Sequence, residues 1–236
     1  MYKKLLLKIS GDLLSSESSS FDPKKIENLA KTLVSFQQKY DVCLAIVVGA
    51  GNIWRFRDNK HLSLNRNTSD MLGMLATNYN AVLLKEAILK YTQSVACFSA
   101  FGNDRLIDFY SPHNARKSFN DKKITVLAGG TGSPFVTTDS ASVLRALELD
   151  CDVVLKATKV NGIYTSDPMK DKNAIKFQNL TFNEAISRGL NIMDLGAFGL
   201  AKENDLPILV FDFTNLKNLE DVYNNPNLGT LVTSNN

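Results

Sequence analysis

The sequence predicts an α/β protein, a layered α/β/α arrangement with a mainly parallel central sheet. Three observations carry this. Short apolar runs alternate with helical patterns, the runs are continuously apolar rather than alternating in polarity, and several end directly in glycine. Continuous apolar runs belong to strands buried on both faces, and strand–helix alternation marks parallel βαβ units. With 236 residues and 44% hydrophobic content, the chain is long enough for one sizeable core. A single domain over 1–236 is expected, softly divided into an N-terminal lobe (1–150) and a C-terminal lobe (151–236).

Leu5 to Ile9 is the first strand and delivers the turn Ser10-Gly11. Ser15 to Ser20 is serine-rich and reads as a loop. Asp22-Pro23 starts a helix, with aspartate as N-cap and proline at the first helical position, where its missing N–H costs nothing. Ile26, Leu29, Ala30, Leu33 and Val34 then recur at helical spacing. Val42 to Val48 is a second strand and stops at Gly49-Ala50-Gly51. A polar loop is expected from Arg55 to Thr68, then a long, mostly buried helix from Ser69 to Tyr91. Val95–Ser99 and Ile124–Ala128 are strands, the latter ending in Gly129-Gly130-Thr131-Gly132. Thr137-Thr138-Asp139 opens a helix to Leu149, and Asp152–Ala157 is a strand before the turn Asn161-Gly162. Thr181 to Glu184 forms a capping box, and Gly189 ends that helix. Pro207–Phe213 and Thr230–Val232 are the last strands.

The totals exclude several classes. A net charge of +3, with no concentrated basic stripe, gives no case for a nucleic-acid binder. The apolar stretch after the first lysines is broken at Lys8, too short for a signal sequence, and no run approaches the ~18 apolar residues of a membrane span. The chain reads as cytosolic. Cys43, Cys97 and Cys151 are scattered and odd in number, which suits buried thiols in a reducing compartment. His61 and His113 do not cluster with them, so no resident metal site is expected.

The chemistry lies in the glycine turns after Ile9, Val48 and Ala128, all at the carboxyl ends of strands. Glycine has no Cβ, so backbone N–H groups can approach an anion, and a helix N-terminus behind the turn adds a favourable dipole. One such turn is explained by the sterics of a strand-to-helix connection; three together point to phosphates. The glycine-lysine motif of P-loop proteins is missing, Gly49 to Trp54 lacks the third glycine of a dinucleotide fingerprint, and the protein-kinase motifs are missing too. Lys8, embedded in an apolar strand, either snorkels to the surface or aims a charge at a transferring phosphoryl group. Asp139 and Asp194 open helices, as plain N-caps or as functional acids. Asp70 near the head of the long helix suits a ribose hydroxyl. Arg55 suits phosphate oxygens or is a solvated loop arginine. The composite reading is phosphoryl transfer.

Several stretches carry a specific resemblance. Lys8-Ile-Ser-Gly11, Val48-Gly-Ala-Gly-Asn-Ile-Trp-Arg55, Met74-Leu-Ala-Thr77 and Gly130-Thr-Gly-Ser-Pro-Phe-Val-Thr-Thr-Asp139 occur in the order seen in bacterial UMP kinases of the amino acid kinase family. So do Leu155 to Pro168, Met193-Asp194 and Gly229-Thr-Leu-Val232, and the resemblance covers nearly the whole chain. It implies a three-layer sandwich, transfer of the ATP γ-phosphoryl group to UMP with Mg2+, and a homohexamer inhibited by UTP.

The resemblance also implies roles. Lys8, Ile9, Ser10, Gly11, Gly51 and Arg55 would meet ATP phosphates, and Thr158, Tyr164 and Asp167 its base and ribose. Ala50, Asp70, Thr131, Gly132, Ser133, Pro134, Phe135, Val136, Thr137 and Thr138 would form the UMP site. Lys8, Arg55, Asp139 and Asp194 would be catalytic, the two acids orienting Lys8 or organising magnesium, with Lys156 and Lys159 as further phosphate contacts. The chain departs from the family pattern at Ala50, where a glycine is usual, and at Asp12, where a glutamate is. Departures at Phe56, Ser69 and the serine-rich loop bear on activation by GTP rather than on catalysis. Two other readings fit the same residues: a kinase of this fold with a carboxylate or carbamate acceptor, and a uridine-nucleotide sensor without turnover.

Overall fold

The computed structural model describes residues 2–102, 105–190 and 193–234. In chain order its elements begin with β1 (Lys4–Ile9), α1 (Pro23–Tyr40), β2 (Cys43–Val48), α2 (Arg66–Leu89), β3 (Val95–Ser99) and β4 (Asp108–Phe109). Next come α3 (Pro112–Asn120), β5 (Ile124–Ala128), α4 (Thr138–Glu148), β6 (Val153–Thr158), β7 (Ile163–Tyr164) and β8 (Lys176–Phe177). The chain finishes with β9 (Asn179–Thr181), α5 (Phe182–Ser187), α6 (Leu195–Glu203), β10 (Ile208–Asp212), α7 (Asn218–Asn224) and β11 (Thr230–Thr233).

Nine strands form one sheet in the order β4-β3-β5-β2-β1-β6-β10-β11-β9, parallel throughout except for the β10–β11 pair. β7 and β8 make a separate antiparallel pair. β1 bonds to β2 on one side and β6 on the other, so strands before and after residue 150 share the sheet.

The alternation of side chains along β1 sorts the layers. Leu5, Leu7 and Ile9 pack into the core shared with α1, α2 and α7. Leu6 faces the opposite core, built with α3, α4, α5 and α6. Strands with apolar residues on both faces need helices on both faces, which is why the predicted three-layer architecture forms.

Local signals behave as their chemistry dictates. Asp22 caps α1, its Oδ1 accepting from the N–H groups of Lys24 and Lys25. Thr181 and Glu184 form the expected capping box, and Gly189 follows α5 at φ 63°. The differences are physical. α2 begins at Arg66 rather than Ser69, because Asn65 Oδ1 accepts from Thr68 N–H at 2.8 Å and caps a polar first turn. The expected loop from Arg55 contains a 3-10 segment, Phe56–Leu62. α3 buries only Ala115 and Phe119, too little apolar periodicity to show in sequence. β4, β7, β8 and β9, of two or three residues each, exist through pairing. Among the described residues no helix is long and apolar enough to cross a membrane.

Candidate active site

Because β5, β2, β1 and β6 are adjacent and parallel, the three glycine turns and Thr158 emerge side by side at one edge of the sheet. Ligands of open α/β sheets bind at this edge, outside the carboxyl ends. The chain leaves β1 toward β2 on one side and returns to β6 on the other, so this is also where the strand order reverses.

Lys8 shares the face of Leu6, toward α4, and is directly opposite Lys156 in the β1–β6 register. Two ammonium groups on neighbouring strands repel unless an anion lies between them. Asp139, in the first turn of α4, supplies it, with Oδ2 at 2.6 Å from Lys156 Nζ and Oδ1 at 3.0 Å from Lys8 Nζ. Each carboxylate oxygen of Asp139 is thus engaged by one lysine. Burial works against the Asp139 carboxylate, but Lys8 and Lys156 outweigh it and hold its carboxyl below the usual range. Burial, with Lys8 alongside, pushes the Lys156 ammonium below the ordinary lysine value despite Asp139. Thus Lys8 does not snorkel, and Asp139 is not the N-cap: Thr137 Oγ1 caps α4 by accepting from Asp139 and Ser140 N–H.

Asp194 takes the N-cap role that was one of its two readings. It caps α6 by accepting from Ala197 N–H at 2.8 Å, and it accepts from Ser140 Oγ at 2.7 Å and from Thr137 Oγ1. It clamps the N-termini of α4 and α6 together and so fixes the turn that carries Asp139. Burial opposes its charge, and the hydroxyls of Thr137 and Ser140 overcome that and depress its pKa.

The turn after β5 needs glycine. Gly129, Gly130 and Gly132 have φ of 72°, 56° and 83°, and a Cβ on Gly129 would lie 2.5 Å from Phe101 N. The segment Thr131 to Val136 then runs half-buried to exposed toward α4, with Phe135 and Val136 presenting apolar surface. Phe135 has φ 67°, an uncommon conformation for a bulky residue, and its N–H donates to Asp70 Oδ2 at 2.9 Å. Asp70 also holds Arg66 Nε at 2.8 Å, so the acid is tied to the loop it is expected to work with. Thr138 opens α4, half-buried at the same edge.

The turn after β2 accepts Ala50 because this residue stays out of the left-handed region. Arg55 reaches back to Asp12, with Nη2 at 2.6 and 2.7 Å from the two carboxylate oxygens, beside Gly51, where a Cβ would meet the guanidinium at 2.8 Å. Lys159 Nζ stands 4.0 Å from the same carboxylate. A carboxylate therefore occupies the guanidinium that was expected to face phosphate. A helix dipole behind each turn does not materialise: the turn after β1 feeds only the 3-10 segment Gly11–Leu14.

Two clefts flank Thr158. One of about 550 Å³ is lined by Thr158, Tyr164 and Asp167 together with Arg188 and Leu190. The other, about 370 Å³, is lined by Ser10, Asp12, Lys159 and Phe213. The first is of the size that holds a nucleoside. Ile9 is itself core, so only its backbone can face a ligand.

The sequence reading gives Lys156 little weight, names Asp12 without its partner, and assigns nothing to Asn52 or Asn80. The signal for Lys156 was present, since a lysine interrupts the apolar run before Thr158 as Lys8 interrupts the one before Ser10. Among the described residues no three His, Cys, Asp or Glu side chains group as a metal cage.

A parallel sandwich with two lysines bridged by a helix-borne aspartate, set among glycine turns at a common sheet edge, is the architecture of one group of kinases unrelated to P-loop proteins. The chain belongs to the amino acid kinase family, whose model matches residues 3–212. It is 39% identical over 232 residues to the uridylate kinase of Bacteroides thetaiotaomicron, covering 98% of each chain. It is 40% identical over 232 residues to that of Pseudomonas fluorescens, covering 98% of this chain and 94% of the relative. Among solved structures, UMP kinase from Ureaplasma parvum superposes with a TM-score of 0.93 at 35% identity, over 99% of this chain and 100% of that one. UMP kinase from Bacillus anthracis superposes with a TM-score of 0.95 at 30% identity, over 100% and 97%.

Proposed function

We propose that the chain transfers the γ-phosphoryl group of ATP to UMP, giving UDP and ADP. The observation that carries this is the Lys8–Asp139–Lys156 bridge at the edge where the Thr131–Thr138 segment leads into α4. Phosphoryl transfer asks a protein for alignment and charge neutralisation. Lys8 and Lys156 neutralise charge on the transferring group, and Asp139 keeps both aimed. The UMP phosphate is already ionised, so no side chain has to remove a proton from the nucleophile.

In this reading the N-terminal lobe holds UMP, with Asp70 on the ribose and the Thr131–Thr138 segment around the base and phosphate. The C-terminal lobe holds the ATP base and ribose, with Thr158, Tyr164 and Asp167 around them; Ser10 and Gly11 of the N-terminal lobe meet the ATP phosphates, and Ala50 and Gly51 lie between the phosphates of the two nucleotides. Arg55 exchanges Asp12 for a phosphate when nucleotide enters, trading one anion for another. Mg2+ supplies further neutralisation of the phosphate oxygens. Such an ion would arrive with the nucleotide and be held mainly by its phosphates, because both oxygens of Asp139 are engaged by Lys8 and Lys156. Self-association, as in a homohexamer, is supported by an apolar surface on and beside α2, where Met71, Leu75, Tyr79, Leu106 and Phe109 are exposed. UTP, which shares the uridine, is the expected inhibitor of the UMP site, and the compartment is the cytoplasm.

The test is an ADP-release assay with ATP and magnesium, offering UMP, CMP, AMP, aspartate, glutamate and carbamate in turn, with Lys8→Ala alongside. Turnover confined to UMP and lost in the variant is expected. Turnover with another acceptor instead overturns the substrate.

A further inference from the structure

Thr77, Asn80, Ala81, Leu84 and Ile88 recur at helical spacing along the buried stripe of α2. The stripe is core from Ala81 onward, yet it holds two polar side chains where α2 passes the strand ends. Asn80 is 0% exposed, and an amide so placed persists only when its groups are bonded. Its Nδ2 donates to Gly49 O at 2.7 Å and to Asn52 Oδ1 at 2.8 Å. Asn52 Nδ2 donates back to Asn80 Oδ1 at 3.1 Å and to Ser20 O at 3.0 Å.

This amide pair also stands against the turn after β1. A Cβ on Gly11 would lie 2.2 Å from Asn52 Oδ1, 2.8 Å from Gly49 O and 2.9 Å from Asn80 Nδ2. Asn80 therefore meets one glycine turn by hydrogen bond and the next by close packing. The same helix reaches the remaining turns: Thr77 Oγ1 accepts from Gly129 N–H at 2.8 Å, and Asn78 accepts from Ser99 Oγ and donates to Phe101 O, both at 2.7 Å.

We propose that Asn80, paired with Asn52, is a positioning residue that sets the separation between the turn at Ser10–Gly11 and the turn at Gly49–Gly51, and with it the in-line distance of transfer. The inference rests on the phosphoryl-transfer reading above. In that reading each nucleotide is held by its own set of residues, whereas the reaction depends on the distance between them. A displacement of about 1 Å costs ~100-fold in rate. Loosening the pair therefore lowers kcat and spares both KM values.

The experiment compares wild type, Asn80→Leu and Asn52→Ala. Asn80→Leu keeps the volume and removes the hydrogen bonding; Asn52→Ala breaks the same pair from a half-buried position and decides the matter if the first variant does not fold. Rates are expressed per folded enzyme, counted by ATP-binding stoichiometry, and use whichever acceptor the wild type phosphorylates. Failure of the UMP reading then appears in the wild type, and failure of this inference in the variants. Expected is a fall in kcat of about 10–100-fold with both KM values within about 3-fold of wild type. A kcat within about 2-fold of wild type in a folded variant, or raised KM values at unchanged kcat, overturns the assignment.

Discussion

Replacing Asp139 by Asn removes the one negative charge between Lys8 and Lys156 while keeping the side-chain shape. At 3.0 and 2.6 Å, and an effective dielectric of about 20, each ion pair is worth about 5–6 kcal/mol before the cost of desolvation. That cost has been met by all three groups, because each side chain is at most 16% exposed. Removing the shared partner strands two like charges in register, and breaking a buried pair in this way costs about 3–5 kcal/mol. For a chain of this size the fall in Tm is about 6–20 °C. The pH dependence has a definite sign. A carboxyl held below its ordinary value of 3.8 contributes stability that is full above that value and lost as pH falls through the depressed one. The wild type therefore loses this contribution below pH 3.8, whereas Asp139→Asn shows no such step. Thermal unfolding from neutral pH down to about pH 2 measures both effects. A loss under about 1 kcal/mol at neutral pH, with the acid step retained in the variant, would refute the bridging role.

Three further outcomes are expected. The Lys156 ammonium is held below the ordinary lysine value of 10.5, so the alkaline limb of kcat begins below that pH; Lys156→Arg moves it upward, and an unmoved limb assigns it elsewhere. Gly11→Ala places its Cβ 2.8 Å from a backbone carbonyl, which cannot swing away as a side chain can; turnover drops at least about 10-fold, checked by steady-state kinetics on folded protein. Asp194→Ala breaks the clamp between α4 and α6 and costs about 1–3 kcal/mol in urea unfolding, with a smaller effect on kcat than Lys8→Ala has; a larger one would make Asp194 a reacting-centre group.

The sites divide by how their residues signal themselves. Lys8 and Lys156 are visible because a charge inside an apolar run is costly and demands a partner. The glycines after β1, β2 and β5 are visible because they punctuate strands. The Asp22 cap and the Thr181–Glu184 box are local chemistry and fold where they are read. α3 and the two-residue strands are not visible, since pairing and a few distant contacts create them. Asn80 looks like any polar residue in a helix until the helix is laid against the strand ends.

What the chain alone determined is therefore the α/β/α class, the main strands, the glycine turns and the unexplained Lys8. These depend on periodicity, burial cost and local turn geometry, all of which act within a few residues. Only the tertiary structure decided which acid answers the lysines, giving Asp139 to the bridge and Asp194 to the clamp. It alone paired Arg55 with Asp12 and placed Asn80 between two turns. Those partners lie 17 to 131 residues apart, and such contacts are set by the order and register of strands, which no local pattern encodes.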